Sequence, residues 1–266
     1  MRPKILFSFF ILLLFQYTGT AQTATTWNGK QAAVSLTYDD AIDIDIDNVA
    51  PALDSFGLKG TFYIIGSSPA VSKRLNEWRK IARNGHELGN HTSFHPCDGS
   101  LPGRTFVRPD NDLSKYTLSR MTAETRFTNT LLNSLDGKTE RTFAFPCGDK
   151  KIGNDYYYDA VKTDFIAARG VRGGLQTIDS VDLTDINCYS INGQNADYMI
   201  NLVKKAKETH TLIVFLFHGV GGGHNLNVDR GEHIKLLQYL KSEEKNLWIA
   251  PMVDVARFIK DRQKKS

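Results

Sequence analysis

The chain has 266 residues, 41% of them hydrophobic and 23% charged, enough for one large globular domain or two small ones. Lys and Arg number 33 against 29 Asp and Glu; without Arg2 and Lys4 at the N-terminus the ratio is 31 to 29, a formal charge of +2. A surface so nearly balanced gives no case for a nucleic-acid partner.

Arg2 and Lys4 precede an almost wholly apolar run, Ile5 to Phe15, and Gly19-Thr20-Ala21 offers small residues for cleavage. Residues 1–21 therefore read as a secretory signal peptide, and 22–266 as the mature chain, secreted or periplasmic. The apolar core is too short for a comfortable membrane span, so no stable membrane anchor is expected after cleavage; the alternative is an uncleaved anchor. Ala32 to Leu36 reads as a strand. Ile46, Val49, Ala50, Leu53 and Phe56 mark one helical face, stopped by Gly57. Gly60 to Ile65 is the next strand, and Val71, Leu75, Trp78 and Ile81 mark a helix that ends at Asn84-Gly85. Glu87 to Asn90 is a short strand, and Pro96 to Leu118 an irregular loop. Thr122 is placed to cap a helix carrying Phe127, Leu131, Leu132 and Leu135. Thr142 to Phe145 and Phe165 to Ala168 read as strands, Ala196 to Thr209 as a helix, and Leu212 to Phe217 as the strongest buried strand. Ile234 to Leu240, Leu247 to Ala250 and Val253 to Ile259 complete the pattern as helix, strand and helix. This alternation predicts one α/β domain with a parallel sheet, open or closed into a barrel.

The chemistry-bearing residues sit just past the strands: Asp39 and Asp40, His91, Pro146, His218. That is where parallel α/β sheets place their sites. An isolated Asp-Asp is ordinarily a solvated loop pair, and His-x-x-x-His alone is a weak signal. Here His91 and His95 stand with an Asp-Asp strand end upstream and a strand-end His downstream. One Asp and two His make a three-ligand site that leaves a coordination position open for water, as catalytic metals require. The other Asp is then free to act as a base. Cys97, Cys147 and Cys188 are odd in number; a Cys97–Cys147 pair and three unpaired thiols are both open readings.

Thr37-Tyr38-Asp39-Asp40, Gly85-His86-Glu87-Leu88-Gly89-Asn90-His91-Thr92-Ser93-Phe94-His95, Phe145-Pro146-Cys147-Gly148 and Leu216-Phe217-His218 resemble, in order and rough spacing, successive motifs of the polysaccharide deacetylases (NodB-homology domain, carbohydrate esterase family four). The resemblance covers about Ala32 to Phe258. It implies a distorted (β/α) barrel and metal-dependent removal of acetyl groups from sugars. By position it implies Asp40, His91 and His95 as metal ligands, Asp39 as general base and His218 as general acid. Leu216 is then the lining for the acetyl methyl, the Cys147 N–H an oxyanion donor, and Pro146 part of the substrate wall. His86 matches a motif position that is structural rather than a ligand. Zn2+ suits one carboxylate and two imidazoles, and Co2+, Ni2+ or Mn2+ also fit. The implied partner is an acetylated carbohydrate, of N-acetylglucosamine or acetylated-xylan type.

Two departures stand out. The family's third motif commonly carries an Arg that orients the catalytic Asp, and here Ala144 occupies that place; Arg169 or Arg172 can supply the charge from elsewhere. Asp179 or Asp182 are the candidates for a carboxylate that tunes His218. Among weaker signals, Asp43-x-Asp45-x-Asp47 lacks the Gly and terminal Glu of a calcium loop and reads better as an acidic helix start. Gly219 to Gly223 reads as a flexible rim of the cleft, and Tyr156 to Tyr158 as rings that can stack on sugars. The rival from another class is a non-catalytic sugar- or metal-binding protein on a deacetylase scaffold. Retention of a base, a metal triad and an acid together favours the enzyme.

Overall fold

The computed structural model describes residues 26–265; the segment expected to be a signal peptide, 1–21, lies outside them. The spine of the fold is β1 (Ala32–Asp39), whose eight residues are all buried. Its side chains alternate between faces, as a strand's must. Val34, Leu36 and Tyr38 pack outward into the helical layer, while Ala33 meets Val214, Leu216 and the last helix on the other face.

The chain then alternates as its periodicity predicts. A π-helical turn (Asp45–Val49) runs into α1 (Ala50–Ser55), followed by β2 (Thr61–Ile64), α2 (Pro69–Lys73), α3 (Leu75–Arg83) and β3 (Glu87–Asn90). After a loop come α4 (Leu118–Asp136), β4 (Thr142–Ala144), a small hairpin of β5 (Lys151–Ile152) and β6 (Asp155–Tyr156), then β7 (Ala167–Arg169) and β8 (Tyr189–Ser190). The remainder is α5 (Ala196–Thr209), β9 (Leu212–Phe217), β10 (Gly219–Val220), β11 (Asn227–Val228), α6 (Arg230–Ser242), β12 (Leu247–Ile249) and α7 (Met252–Gln263). No helix among the described residues is long and apolar enough to cross a membrane.

The main sheet is parallel, in the order β7-β4-β3-β2-β1-β9-β8. β1 pairs with β12 through Ala32–Val34 and with β2 through Thr37–Asp39. Between the edges β7 and β8 the barrel is completed by irregular chain: Ala168 N–H donates to Leu183 O, and Gly170 N–H to Ile186 O. This is a distorted (β/α) barrel. Because every main-sheet pairing is parallel, all strand C-termini open on one rim.

Local details correct the sequence reading. The α4 helix starts earlier than expected: Thr117, not Thr122, caps it by accepting from Arg120 N–H at 3.2 Å. Phe127 is 66% exposed, because the buried stripe of α4 runs through Met121, Thr125, Thr128, Leu132 and Leu135. Tyr157 and Tyr158 do not present rings to solvent; they pack with Phe143, Phe145 and Phe165 in a core cluster. Trp78 is buried, its indole N–H donating to Ala70 O. Asp43 and Asp47 both pair with Arg74, and Asp45 is fully buried.

Candidate active site

Asp39 ends β1 and faces the barrel interior, where it is 3% exposed. Its two carboxylate oxygens accept from Arg169 Nη2 at 2.7 and 2.5 Å. Arg169 ends β7, and its register partner on β4 is Ala144. The positive charge missing from position 144 thus arrives at the same level from the neighbouring strand. Arg172 does not take this role; its Nε donates to Asn187. The guanidinium lies 4.9 Å over the Tyr63 ring, and Tyr63 fits because Gly89 lies beside it: a Cβ there would fall 2.5 Å from Tyr63 Cδ1. Burial is the strongest single influence and would raise the Asp39 pKa, but the Arg169 charge and hydrogen bonds, together with His91 and His218, offset it and hold the group below the ordinary carboxylate range.

Asp40 follows with φ +81°, a left-handed turn that swings its carboxylate onto the rim. Its Oδ1 lies 3.6 Å from His91 Nε2 and 3.6 Å from His95 Nε2. That oxygen is buried without a hydrogen-bond partner. His91 is held by Nδ1–H donating to Ala144 O at 2.9 Å, which leaves the Nε2 lone pair aimed at Asp40. His95 sits at φ +52°, its N–H bonded to Thr92 Oγ1. Burial lowers the His91 pKa to about 3 and the His95 pKa to about 4, so both rings are neutral donors at physiological pH. Burial, with help from Asp39, raises Asp40. The three groups fit a divalent cation: edges of 3.6 Å are what a metal–ligand distance of about 2.1 Å requires. The orphaned Asp40 oxygen is also the kind of atom that such an ion satisfies.

His218 follows β9 and lies with Nε2 4.0 Å from Asp40 Oδ2. Burial lowers its pKa. The expectation of a tuning carboxylate fails. Asp182 accepts from Thr184 within its own turn, Asp179 lies in a 3-10 turn (Ile178–Ser180), and His218 Nδ1 is buried without a partner.

Asp39, Asp40, His91, His95, Cys147, Leu216 and His218 share one cavity of about 570 Å³. Pro146 does not line it: it is buried at the start of the turn (Pro146–Gly148) that presents Cys147 at φ +54°. Cys147 is disulfide-bonded to Cys97, which ties this wall to the segment carrying His95; Cys188 is the free thiol, and it is buried. Arg104 reinforces the tie through Asp149 at 3.1 Å. His86 lies off the cavity, accepting from Gly60 N–H and bonding Asp54. Sequence reasoning missed Arg104, Phe106, Val171 and His224 among the lining residues. For His224 the signal was its place directly after three glycines, a run we expected to be a flexible rim.

A family model described as polysaccharide deacetylase matches residues 27–165. A gellan lyase from a Bacillus species is 30% identical over 178 residues, 66% of this chain but 6% of that protein. A peptidoglycan-N-acetylglucosamine deacetylase from Bacillus cereus is 35% identical over 68 residues, 25% of this chain and 24% of its own length. The chain thus spans only a small part of these curated relatives. Among solved structures, a peptidoglycan N-acetylglucosamine deacetylase superposes with a TM-score of 0.54 over 85% of this chain and 88% of its own, at 20% identity.

Proposed function

The chain belongs to the polysaccharide deacetylase family, and from that premise we propose that it is an exported, metal-dependent hydrolase. Its substrate on this reading is an acetylated polysaccharide or oligosaccharide, of N-acetylglucosamine or acetylated-xylan type. The observation that carries the proposal is the pairing of two differently treated aspartates: Asp39 clamped by Arg169 and Asp40 left open toward two imidazoles.

A divalent cation at Asp40, His91 and His95, most simply Zn2+, supplies Lewis acidity toward an acetyl carbonyl and makes water more acidic. The chain's own groups do the rest. Asp39, kept ionised by Arg169, takes the proton of the attacking water. The Cys147 N–H, fixed in its left-handed turn, donates to the developing oxyanion. Leu216 packs against the acetyl methyl. His218 gives a proton from Nε2 to the departing amine or alkoxide. Arg169 takes the place of the motif arginine absent at Ala144.

Acetate release from an N-acetylglucosamine oligomer and from acetylated xylan, with and without chelator and re-added Zn2+, tests the reading. Chelator-sensitive release from one of them supports it and names the bond. Release insensitive to chelator contradicts the metal assignment.

A further inference from the structure

His224 is held in a way that a flexible rim would not hold it. The chain after β10 passes Gly221, Gly222 and Gly223 at φ +75°, +123° and +84°, values that side-chain-bearing residues rarely adopt. At Gly223 a Cβ would lie 2.7 Å from Ile44 Cγ1. Gly222 N–H donates to Asn227 Oδ1 at 2.8 Å, and β10 pairs with β11 across the turn. The turn folds back over the cavity and lays the His224 ring on His218, centroids 4.8 Å apart and planes 16° from parallel.

The ring's orientation is also set. Leu226 N–H donates to His224 Nδ1 at 3.0 Å. An Nδ1 that accepts carries no proton, so in the neutral ring the hydrogen is on Nε2. That Nε2 faces Asp40 Oδ2 at 3.7 Å. A small rotation of the Asp40 carboxylate closes this gap to hydrogen-bond length, as sites often do on loading. Asp40 Oδ1 meanwhile faces His91 and His95.

We propose that His224 is a positioning residue for Asp40: its fixed Nε2–H takes Oδ2 and thereby presents Oδ1 to the metal. This rests on the metal reading of the site given above. A carboxylate whose second oxygen is held by a donor cannot swing away, and outer-shell donors of this kind govern metal affinity as well as turnover. The stack on His218 ties the same residue to the end of β9.

The test compares wild type, His224→Phe and His224→Gln. Phe keeps a stacking ring and removes the donor; Gln keeps a donor and removes the ring. Each protein is freed of metal and titrated with Zn2+ alone against a chromophoric chelator, with unfolding of the metal-free forms as the folding control. The expected result is Zn2+ affinity about 10-fold weaker or worse in His224→Phe, nearer to wild type in His224→Gln, with unchanged metal-free unfolding. In Zn2+-saturated protein kcat falls while KM holds. His224→Phe with wild-type Zn2+ affinity overturns the proposal, and if KM alone then rises the residue belongs to the substrate instead. A wild-type protein that binds no Zn2+ overturns the metal reading itself, an outcome separate from the first.

Discussion

Glu87 and Asp40 are carboxylates at opposite ends of one parallel sheet, and the protein treats them in opposite ways. Glu87, on the floor, is 3% exposed. Its Oε1 accepts from Thr142 N–H and Thr142 Oγ1, and its Oε2 from Thr61 Oγ1 and Val253 N–H, at 2.7 to 2.8 Å. It ties β2, β3 and β4 together and caps α7. Asp40, on the rim, keeps an oxygen that is buried and accepts nothing. Backbone conformation follows the same division. Among the described residues, Asp40, Ala41, Thr92, His95 and Cys147 account for five of the seven non-glycine residues with positive φ. A saturated buried carboxylate is there for the fold. An unsaturated one on strained backbone is the kind of group that a bound cation would satisfy.

That contrast can be broken or sharpened experimentally. The largest effect on stability is expected from the rim's staple. The Cys97–Cys147 bridge spans 50 residues, so replacing both by Ser costs about 4 kcal/mol in the chain-entropy account, measured by denaturant unfolding. Glu87→Ala strands two backbone N–H groups and two hydroxyls, and should cost about 3 kcal/mol with the geometry of Asp40, His91 and His95 untouched. Asp40→Ala should do the reverse: metal-free stability within about 1 kcal/mol of wild type, and Zn2+ binding lost.

Arg169→Met probes the rim through its chemistry. With Arg169 gone, burial of Asp39 loses its strongest opponent, the pKa rises, and the acid limb of kcat/KM moves to higher pH. At neutral pH kcat/KM should fall on the order of 100-fold. Adding Ala144→Arg to that variant returns a guanidinium from the register partner and should recover part of the loss. At neutral pH the smallest effect is expected from the buried histidines off the site. Burial lowers His86 and His233 to about 4. Both are protonated near pH 6.5 in the unfolded chain, so they favour folding fully above that pH. Their contribution is lost as pH falls from about 6.5 to about 4, and Tm should decline through that window and stay level above it.

Much of the fold was legible because it is written in local periodicity. Glu87–Asn90, Ala196–Thr209 and Leu212–Phe217 have the bounds their patterns suggest. The site residues were legible because short motifs end those strands. What was not legible depends on register between distant strands. Arg169 and Arg172 were both candidates for the missing charge; Arg169 reaches Asp39 across 130 positions because β7 lies against β4 with Arg169 opposite Ala144, and nothing in the spacing chooses between the two. Tyr157 and Tyr158 look like a sugar platform in isolation and are core because Phe143 on β4 and Phe165 just before β7 pack against them. His224 was hidden by its glycines, which read as slack and in fact enforce one turn.

In the proposed mechanism Asp39 acts as base beside a metal it does not hold. The most direct measurement is acetate release by wild type and Asp39→Asn side by side, with Zn2+ content determined on the same samples. The account predicts chelator-sensitive release by wild type, and a loss of about 100-fold or more in the variant at equal Zn2+ content. Equal release by both proteins, or a loss that merely tracks missing Zn2+, would contradict it.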